Sequence, residues 1–514
     1  MNAALVADLT AALSADRVRT GTTELGLYGR DASNFPGSAG VVCFPLTTAE
    51  VQAAVVAAVR HGVPFVARGS GTGLAGGATP LDHALVIALT KMDAVLSVDP
   101  VNRFAWVEPG VLNLDLTRQV TKYGLHFAPD PSSQQSCSIG GNVANNSGGP
   151  HCLSDGVTAS HVLAMEVVLS DGSVVVLGGD EPEPAGLDLR GAFVGSEGMF
   201  GIATKVCVRL TQNAPAVRTM LMDFETVEAG AQTVSAIIAA GMVPAALEMM
   251  DQLCVQAVEA YIHAGLPVDA AAVLLVEVAG LPHGLEADVA RIVEIGMAHG
   301  AGTVRIAQDE TERALLWKGR KTAFGAIARI KPNYYLHDTV VPRRMLPEVL
   351  RQVYAICQRH DLLVMNVFHA GDGNLHPLIL FDANDPDQLH RCELFGADIL
   401  ETSVRLGGTV TGEHGVGVEK LNSMCVQFSA AELEQMPGWM ARTRGEQTLS
   451  ELRDLVGLAG GQIQIAERPA SVEMSGVELH DSLQSREGCR NVSGFRGGRG
   501  KLPIETYLSC LAQS

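Results

Sequence analysis

Val66-Ala67-Arg68-Gly69-Ser70-Gly71-Thr72-Gly73-Leu74-Ala75-Gly76-Gly77 decides how this chain is read. Five glycines fall within the nine residues 69–77. Glycine carries a backbone-entropy cost, so such a run needs a structural reason. Without Cβ atoms in the way, successive N–H groups can close around an anion such as a phosphate. Residues Gly71-Thr72-Gly73-Leu74-Ala75-Gly76 also fit the dinucleotide pattern G-x-G-x-x-G. That pattern needs a strand before it and a helix after it. Residues 63–67 supply the strand, but Pro80 breaks the helix. A Rossmann turn is disfavoured, and a loop-built pyrophosphate cradle fits better. A flexible surface turn is the plain alternative.

Working outward, residues 41–44 read as a strand, and Thr47 with Glu50 forms a capping box for a helix over 49–61 stopped by Gly62. Short strands follow at 84–89, 94–98 and 104–107, with Asp99-Pro100-Val101-Asn102 as a turn. A helix over 112–123 stops at Gly124. Pro129-Asp130-Pro131-Ser132-Ser133 and the run from Cys137 to Gly149 then read as a long loop of small and amide residues. Such a loop suits close backbone approach to a flat polar ligand, and long structureless loops are usually functional. Asp171-Gly172 joins 161–169 to 174–177 as a hairpin. A third small-residue segment is Gly195-Ser196-Glu197-Gly198-Met199-Phe200-Gly201.

After residues 211–215 the texture changes, and a domain boundary is expected there. Strands are predicted at 273–278, 303–307, 336–341, 363–368 and 377–381. Helices are predicted at 227–240, 285–299, 310–327, 346–360 and 388–406. The reading is an α+β chain of two layered domains. It divides into an N-terminal helical segment (1–35), a first domain (36–214), a second domain (215–435) and an atypical tail (436–514). The tail is rich in Arg, Gly and Ser over 485–501 and is expected to be mobile.

A chain of 514 residues, 47% of them hydrophobic, can bury more than one core. Its net charge of −19 disfavours nucleic acid and anionic lipid as partners. Ten scattered cysteines form no C-x-x-C pair, which suits free thiols in a reducing compartment. The first twenty residues carry Asp8 and no basic start before an apolar core, so they read as a helix and not a signal peptide. No apolar run approaches the ~20 residues of a membrane span. The richest, 270–280, is interrupted by Glu277.

A polar cluster lies away from the glycines. In His369-Ala370-Gly371-Asp372-Gly373-Asn374-Leu375-His376 the two glycines allow the chain to fold back and bring both imidazoles together. Thr411-Gly412-Glu413-His414-Gly415 adds a carboxylate and a third imidazole. Two histidines and a carboxylate with an open position make a catalytic zinc or related divalent pattern. His414 would then be free as a general base. The alternative is a polar turn with structural histidines. Lys318-Gly319-Arg320-Lys321 is a basic helical face that matters only if it meets a carboxylate-bearing ligand.

Together the three small-residue segments resemble the FAD-binding domain of the vanillyl-alcohol-oxidase type. The histidine segments resemble the FAD-linked D-2-hydroxyacid dehydrogenases, a family that includes the D subunits of bacterial glycolate oxidases. The likeness spans roughly residues 20–435. It implies FAD-dependent oxidation of glycolate or D-lactate to the 2-oxo acid. Arg68, Gly69, Ser70, Gly71, Thr72, Gly73, Gly76 and Gly77 would hold the pyrophosphate. Pro129, Ser136, Gly140, Gly141, Asn145 and Gly148, with Gly195, Glu197, Gly201 and Ile202, would run along the ribityl chain, flavin and adenine. Relatives with covalent flavin carry a histidine in the first loop; residues 66–77 have none, so FAD is expected to be non-covalent. His369, His376 and Glu413 would hold a divalent metal, zinc by expectation. His414 would be the base, and Arg320 would bind the substrate carboxylate.

The resemblance also implies a second flavin subunit and an iron–sulfur subunit as partners. It implies a cytoplasmic location, at the inner face of the plasma membrane through those partners. The competing implication is a flavin-holding structural subunit whose oxidase has its chemistry elsewhere. A zinc hydrolase would leave the three glycine segments without a role. Members of the family finish with a segment like D-P-x-x-L-L-N-P-G-K, and the chain from Met436 carries nothing of the kind. The expectation is that a shifted reading frame, or another sequence alteration near codon 435, produced that tail, with loss of the family's flavin-touching end.

Overall fold

The computed structural model describes residues 2–179 and 186–435. The tail from Met436, expected to be mobile, lies outside the described residues. Two helices, Ala3–Leu13 and Thr22–Tyr28, open the chain. A four-stranded sheet follows in the order Val18–Arg19, Ala39–Cys43, Ala84–Ala88, Phe65–Arg68. Its last three strands run parallel. Thr48–Arg60 is the crossover helix that a parallel pair requires. Thr47 Oγ1 accepts from Glu50 N at 3.3 Å, as the capping reading expects. The Glu50 carboxylate reaches past the cap residue to Leu46 N at 2.7 Å and also pairs with Arg17. Gly62, at φ +61°, ends the turn. No helix follows Phe65–Arg68: the glycine run stays a loop up to Ala84.

A second, antiparallel sheet runs Val95–Asp99, Phe104–Val107, Ile202–Arg209, Val162–Val168, Val174–Gly178. The Asp171-Gly172 hairpin is present, with Gly172 at φ +83°. Between these strands the structure departs from the sequence reading. Residues 137–149 are not a continuous loop, because Ile139–Asn145 is a short helix. Ser138 caps it by accepting from Gly141 N at 3.3 Å. Gly140 lies so close to Pro109 that a Cβ there would overlap the proline. The glycines that argued against a helix are what allow this one to pack.

The remaining chain builds a nine-stranded antiparallel sheet. Its central path includes Ala301–Ile306, Ala216–Phe224, Ala272–Gly280, Ala246–Asp251 and Leu363–His369. Two of these strands, Ala216–Phe224 and Ala246–Asp251, and the helix Gln252–Ile262 escape the sequence reading. Helices cover both faces. Val227–Ala239, Pro282–Ala298, Leu346–His360 and Pro386–Arg405 pack over Met222, Phe224, Leu274 and Val276. Gln252–Ile262 and Glu310–Lys321 pack over Leu221, Met250, Val273 and Leu275. A strand covered on both faces reads as an unbroken apolar run, which is the pattern of residues 272–276.

Glu277 interrupts that run because it joins the two halves of the molecule. Its carboxylate accepts from Thr219 Oγ1 at 2.5 Å, Trp317 Nε1 at 2.6 Å and Arg313 Nε at 2.9 Å. His151, from the first half, reaches it at 3.3 Å and holds Asp130 at 3.0 Å with its other nitrogen. Burial alone would raise the Glu277 carboxyl, but His151 and Arg313 outweigh it and hold the group well below the usual range. Removing one partner of a buried charged network costs roughly 3–5 kcal/mol. Glu277→Ala is therefore expected to lower the thermal unfolding midpoint markedly. An unchanged melting curve by circular dichroism would show that the network carries no stability.

Candidate active site

The antiparallel register sets the site. His369 ends its strand directly opposite Glu248. Glu248 Oε1 lies 2.8 Å from His369 Nδ1, which turns Nε2 the other way. The chain then folds back through Gly373, at φ +75°, and pairs Asn374 with His369. This brings His376 beside His369, with ring centroids 5.1 Å apart. Thus the two glycines between the histidines act as the sequence reading expects.

The third imidazole arrives from residues 411–415, which are held by a buried carboxylate. Asp338 accepts from the backbone N–H groups of Gly412, Glu413 and His414 at 2.8, 3.1 and 3.0 Å. It also takes the Thr411 hydroxyl at 2.8 Å and Lys420 Nζ at 3.2 Å. So held, Glu413 Oε1 lies 3.4 Å from both His369 Nε2 and His376 Nε2. The His414 ring stacks on His376 with centroids 5.0 Å apart. One ligand atom from each of His369, His376 and Glu413 falls within 4.8 Å of the others, and the same holds for Asp338, His376 and His414.

Electrostatics at this cluster favour a cation. Glu413, Asp338 and Glu248 crowd the two imidazoles. Burial would raise the Glu413 carboxyl, but the His369 hydrogen bond and charge win and hold it at about 2. His369 is pushed up to about 10 because Glu248 and Glu413 overcome its burial. Both nitrogens of His376 are buried without a hydrogen bond. Orphaned imidazole nitrogens facing carboxylates are what a divalent ion would satisfy, so the residues fit a metal. His414 goes the other way: burial pushes it down to about 4 against the pull of Asp338.

His376, Glu413 and His414 of the cluster line a cavity of about 530 Å³. Phe324, Tyr334, Leu336 and Lys321 line it too. Much of the remaining wall comes from the glycine segments. Arg68, Gly69, Ser70, Gly71, Thr72, Gly73 and Gly77 line it, as do Ser136, Gly140, Gly141, Asn145, Glu197, Gly201 and Ile202. Gly71, at φ +73°, passes so close to the Arg68 guanidinium that a Cβ would overlap it. A cavity lined so largely by glycine and other small residues leaves backbone N–H groups open to a phosphate-bearing cofactor.

Six expected site residues do not line this cavity, His369 among them. Gly76 packs on Val418, Pro129 O accepts from Asn113 Nδ2 at 2.8 Å, and Gly195 N donates to Val143 O at 2.8 Å. Gly148 lies against the Glu413 carboxylate, where a Cβ would collide. Arg320 is 1% exposed and sits behind His369, with Nη2 2.6 Å from Glu248 Oε2. Sequence reasoning missed Asp338 and Glu248. The available signal was a carboxylate inside an apolar strand, as in Leu247-Glu248-Met249-Met250.

Comparison with known proteins agrees with this architecture. Residues 39–178 match the family model for an FAD binding domain, and residues 214–455 match that for the C-terminal domain of FAD linked oxidases. The glycolate oxidase subunit GlcD of Escherichia coli (strain K12) is 48% identical over 393 residues, covering 76% of this chain and 79% of that protein. GlcD of Bacillus subtilis (strain 168) is 41% identical, with 77% and 84% covered. The probable mitochondrial D-lactate dehydrogenase of Danio rerio is 30% identical, with 82% and 86% covered. Among solved structures, 4-ethylphenol oxidase from Gulosibacter chungangensis superposes with a TM-score of 0.71 at 18% identity, covering 86% of this chain and 94% of that one. p-Cresol methylhydroxylase gives 0.69 at 16% identity, with 87% and 97% covered. A glycine-walled cavity bordered by a histidine cluster, both family models and a near-half-identical relative lead to one conclusion: the chain is an FAD-linked oxidoreductase and belongs to the family of GlcD subunits and D-lactate dehydrogenases.

Proposed function

We propose that this chain oxidises a small 2-hydroxy acid, glycolate or D-lactate, to the 2-oxo acid. The observation that carries the reading is the meeting of His376, Glu413 and His414 with the glycine segments in one cavity. FAD, expected to be held without a covalent link, would supply the hydride acceptor. A divalent ion, for which His369, His376 and Glu413 would be the ligands, zinc by preference, would supply Lewis acidity toward the substrate hydroxyl.

The chain's own residues do the rest. His414 accepts the hydroxyl proton. Its burial keeps the imidazole neutral at physiological pH, so the base is available. Glu248 holds His369 Nδ1 and thereby orients Nε2 toward Glu413. Arg320, expected to bind the substrate carboxylate, is engaged by Glu248 and does not line the cavity. Lys321 adds positive charge to the cavity wall and would draw an anion into a chain of net charge −19. Phe324, Tyr334 and Leu336 line the same cavity and offer apolar surface to a hydrogen or methyl group at C2.

The division at residue 215 separates a cofactor-holding domain from a cap that carries the metal ligands and base. Among the described residues no helix is long and apolar enough to cross a membrane. The named GlcD relatives are subunits of glycolate oxidases, and that likeness supports a partnered enzyme. The partners proposed are a second flavin subunit and an iron–sulfur subunit, at the cytoplasmic face.

Anaerobic addition of glycolate or D-lactate to the FAD-loaded protein is expected to bleach its visible flavin absorption. A spectrum untouched by either acid would refute the activity and leave a purely structural flavin subunit. His414→Asn should slow that bleaching by ~10²–10⁴, the usual share of a general base. A wild-type rate would remove His414 from the role. Exhaustive chelation should abolish substrate-driven bleaching, and added Zn²⁺ or Mn²⁺ should restore it; full activity in metal-free protein would dismiss the ion.

A further inference from the structure

Each of the three cofactor-facing segments extends one anchor to the segment that carries Glu413 and His414. From the first glycine loop, Ala75 O accepts from Val418 N at 2.9 Å and Glu419 N at 3.1 Å. From the second, Asn145 Nδ2 donates to His414 O at 2.8 Å. From the third, the Glu197 carboxylate accepts from Val416 N at 2.6 Å and from Gly417 N at 2.8 Å. The contacts are close enough to require glycine. A Cβ on Gly415 would overlap Glu197, and one on Gly417 would overlap Ala75 O. Both residues have positive φ, +86° and +51°.

Glu197 is the most specific of these anchors. It is a non-glycine residue in the left-handed region, at φ +52°. That conformation is uncommon and calls for a compensating contact. Each of its oxygens takes a different, consecutive backbone N–H. Hydrogen bonds of this charge-assisted kind are the stronger ones, and an amide in the same place could accept only one of the two. Both of these carboxylate hydrogen bonds run to the segment bearing the base, although Glu197 also lines the cofactor cavity.

We infer that Glu197 is a positioning residue for His414, and that Asn145 assists it. By pinning residues 414–417 to the cofactor domain, Glu197 sets the distance between the base and the cofactor groove. The inference rests on His414 being the base, as proposed above. Its physical core is that the two domains are joined at the reacting end by this carboxylate, and a misplacement of about 1 Å there can cost ~10²-fold in rate.

The test uses Glu197→Gln in the full chain loaded with FAD. The substitution keeps the side chain's shape, so a packing role would leave it silent. Three quantities are read: FAD affinity, the rate of flavin bleaching by glycolate or D-lactate, and amide hydrogen exchange of the peptide spanning 411–420. Positioning predicts FAD affinity within about threefold of wild type, half-saturating substrate within about threefold, bleaching slowed roughly 10–100-fold, and faster exchange in 411–420. Wild-type bleaching with wild-type exchange would overturn the inference. So would weaker FAD binding with a normal bleaching rate in the loaded fraction, since that would make Glu197 a cofactor ligand only. If neither acid bleaches the wild-type flavin, the activity reading fails by itself, and the exchange measurement alone decides whether Glu197 pins the segment. Asn145→Ala, which removes the single bond to His414 O, provides a second variant should Glu197→Gln not fold; it is expected to change bleaching and exchange in the same direction, and no change in either would count against positioning.

Discussion

A buried carboxylate, Asp338, is the constraint on which the active site depends. It is 0% exposed, and burial alone would push it toward the neutral form. Lys420 and the nearby imidazoles hold it well below the ordinary carboxylate range instead. As an anion it collects three successive backbone N–H groups, a hydroxyl and an ammonium. Those bonds curl residues 411–414 into a tight turn around it. Without that turn, Glu413 would not meet His369 and His376, and His414 would not lie in the cavity. The cost of taking Asp338 out of water is offset because every donor in reach points at it.

The same logic recurs at two further carboxylates, each with a different task. Glu248 faces His369 across the sheet and fixes the direction of its ring. Glu277 receives donors from both halves of the chain and holds the second domain against the first. Several of the carboxylates are interior acceptors around which strands, turns and imidazoles are oriented.

Local elements were legible from the chain where local chemistry decided them. The Thr47 cap, the Gly62 and Gly124 stops and the Asp171-Gly172 hairpin depend on neighbours within a few residues, and they appear where expected. Ala246–Asp251 was not legible. Its sequence lacks turn signals and β-branched residues, and it places two carboxylates in a strand whose burial only the neighbouring strands create. Ile139–Asn145 was hidden for a different reason. Gly140 and Gly141 lower helix propensity, and only the approach of Pro109 makes a side-chain-free surface worth that cost.

By itself the sequence determined that a glycine run follows a strand without a helix behind it, which excludes a Rossmann turn in favour of a loop cradle. It also determined that two imidazoles can fold toward each other across Gly371 and Gly373, because backbone freedom is a local property. Only the tertiary structure decided which groups meet them. Glu248, Asp338 and Glu413 come from segments far apart in the chain, and their convergence follows from strand register and from which buried donors each carboxylate finds. The same holds for Arg320, whose sequence suggests a solvated basic face and whose packing places it against Glu248. Register and burial are sums over the whole molecule, so no local pattern of residues encodes them.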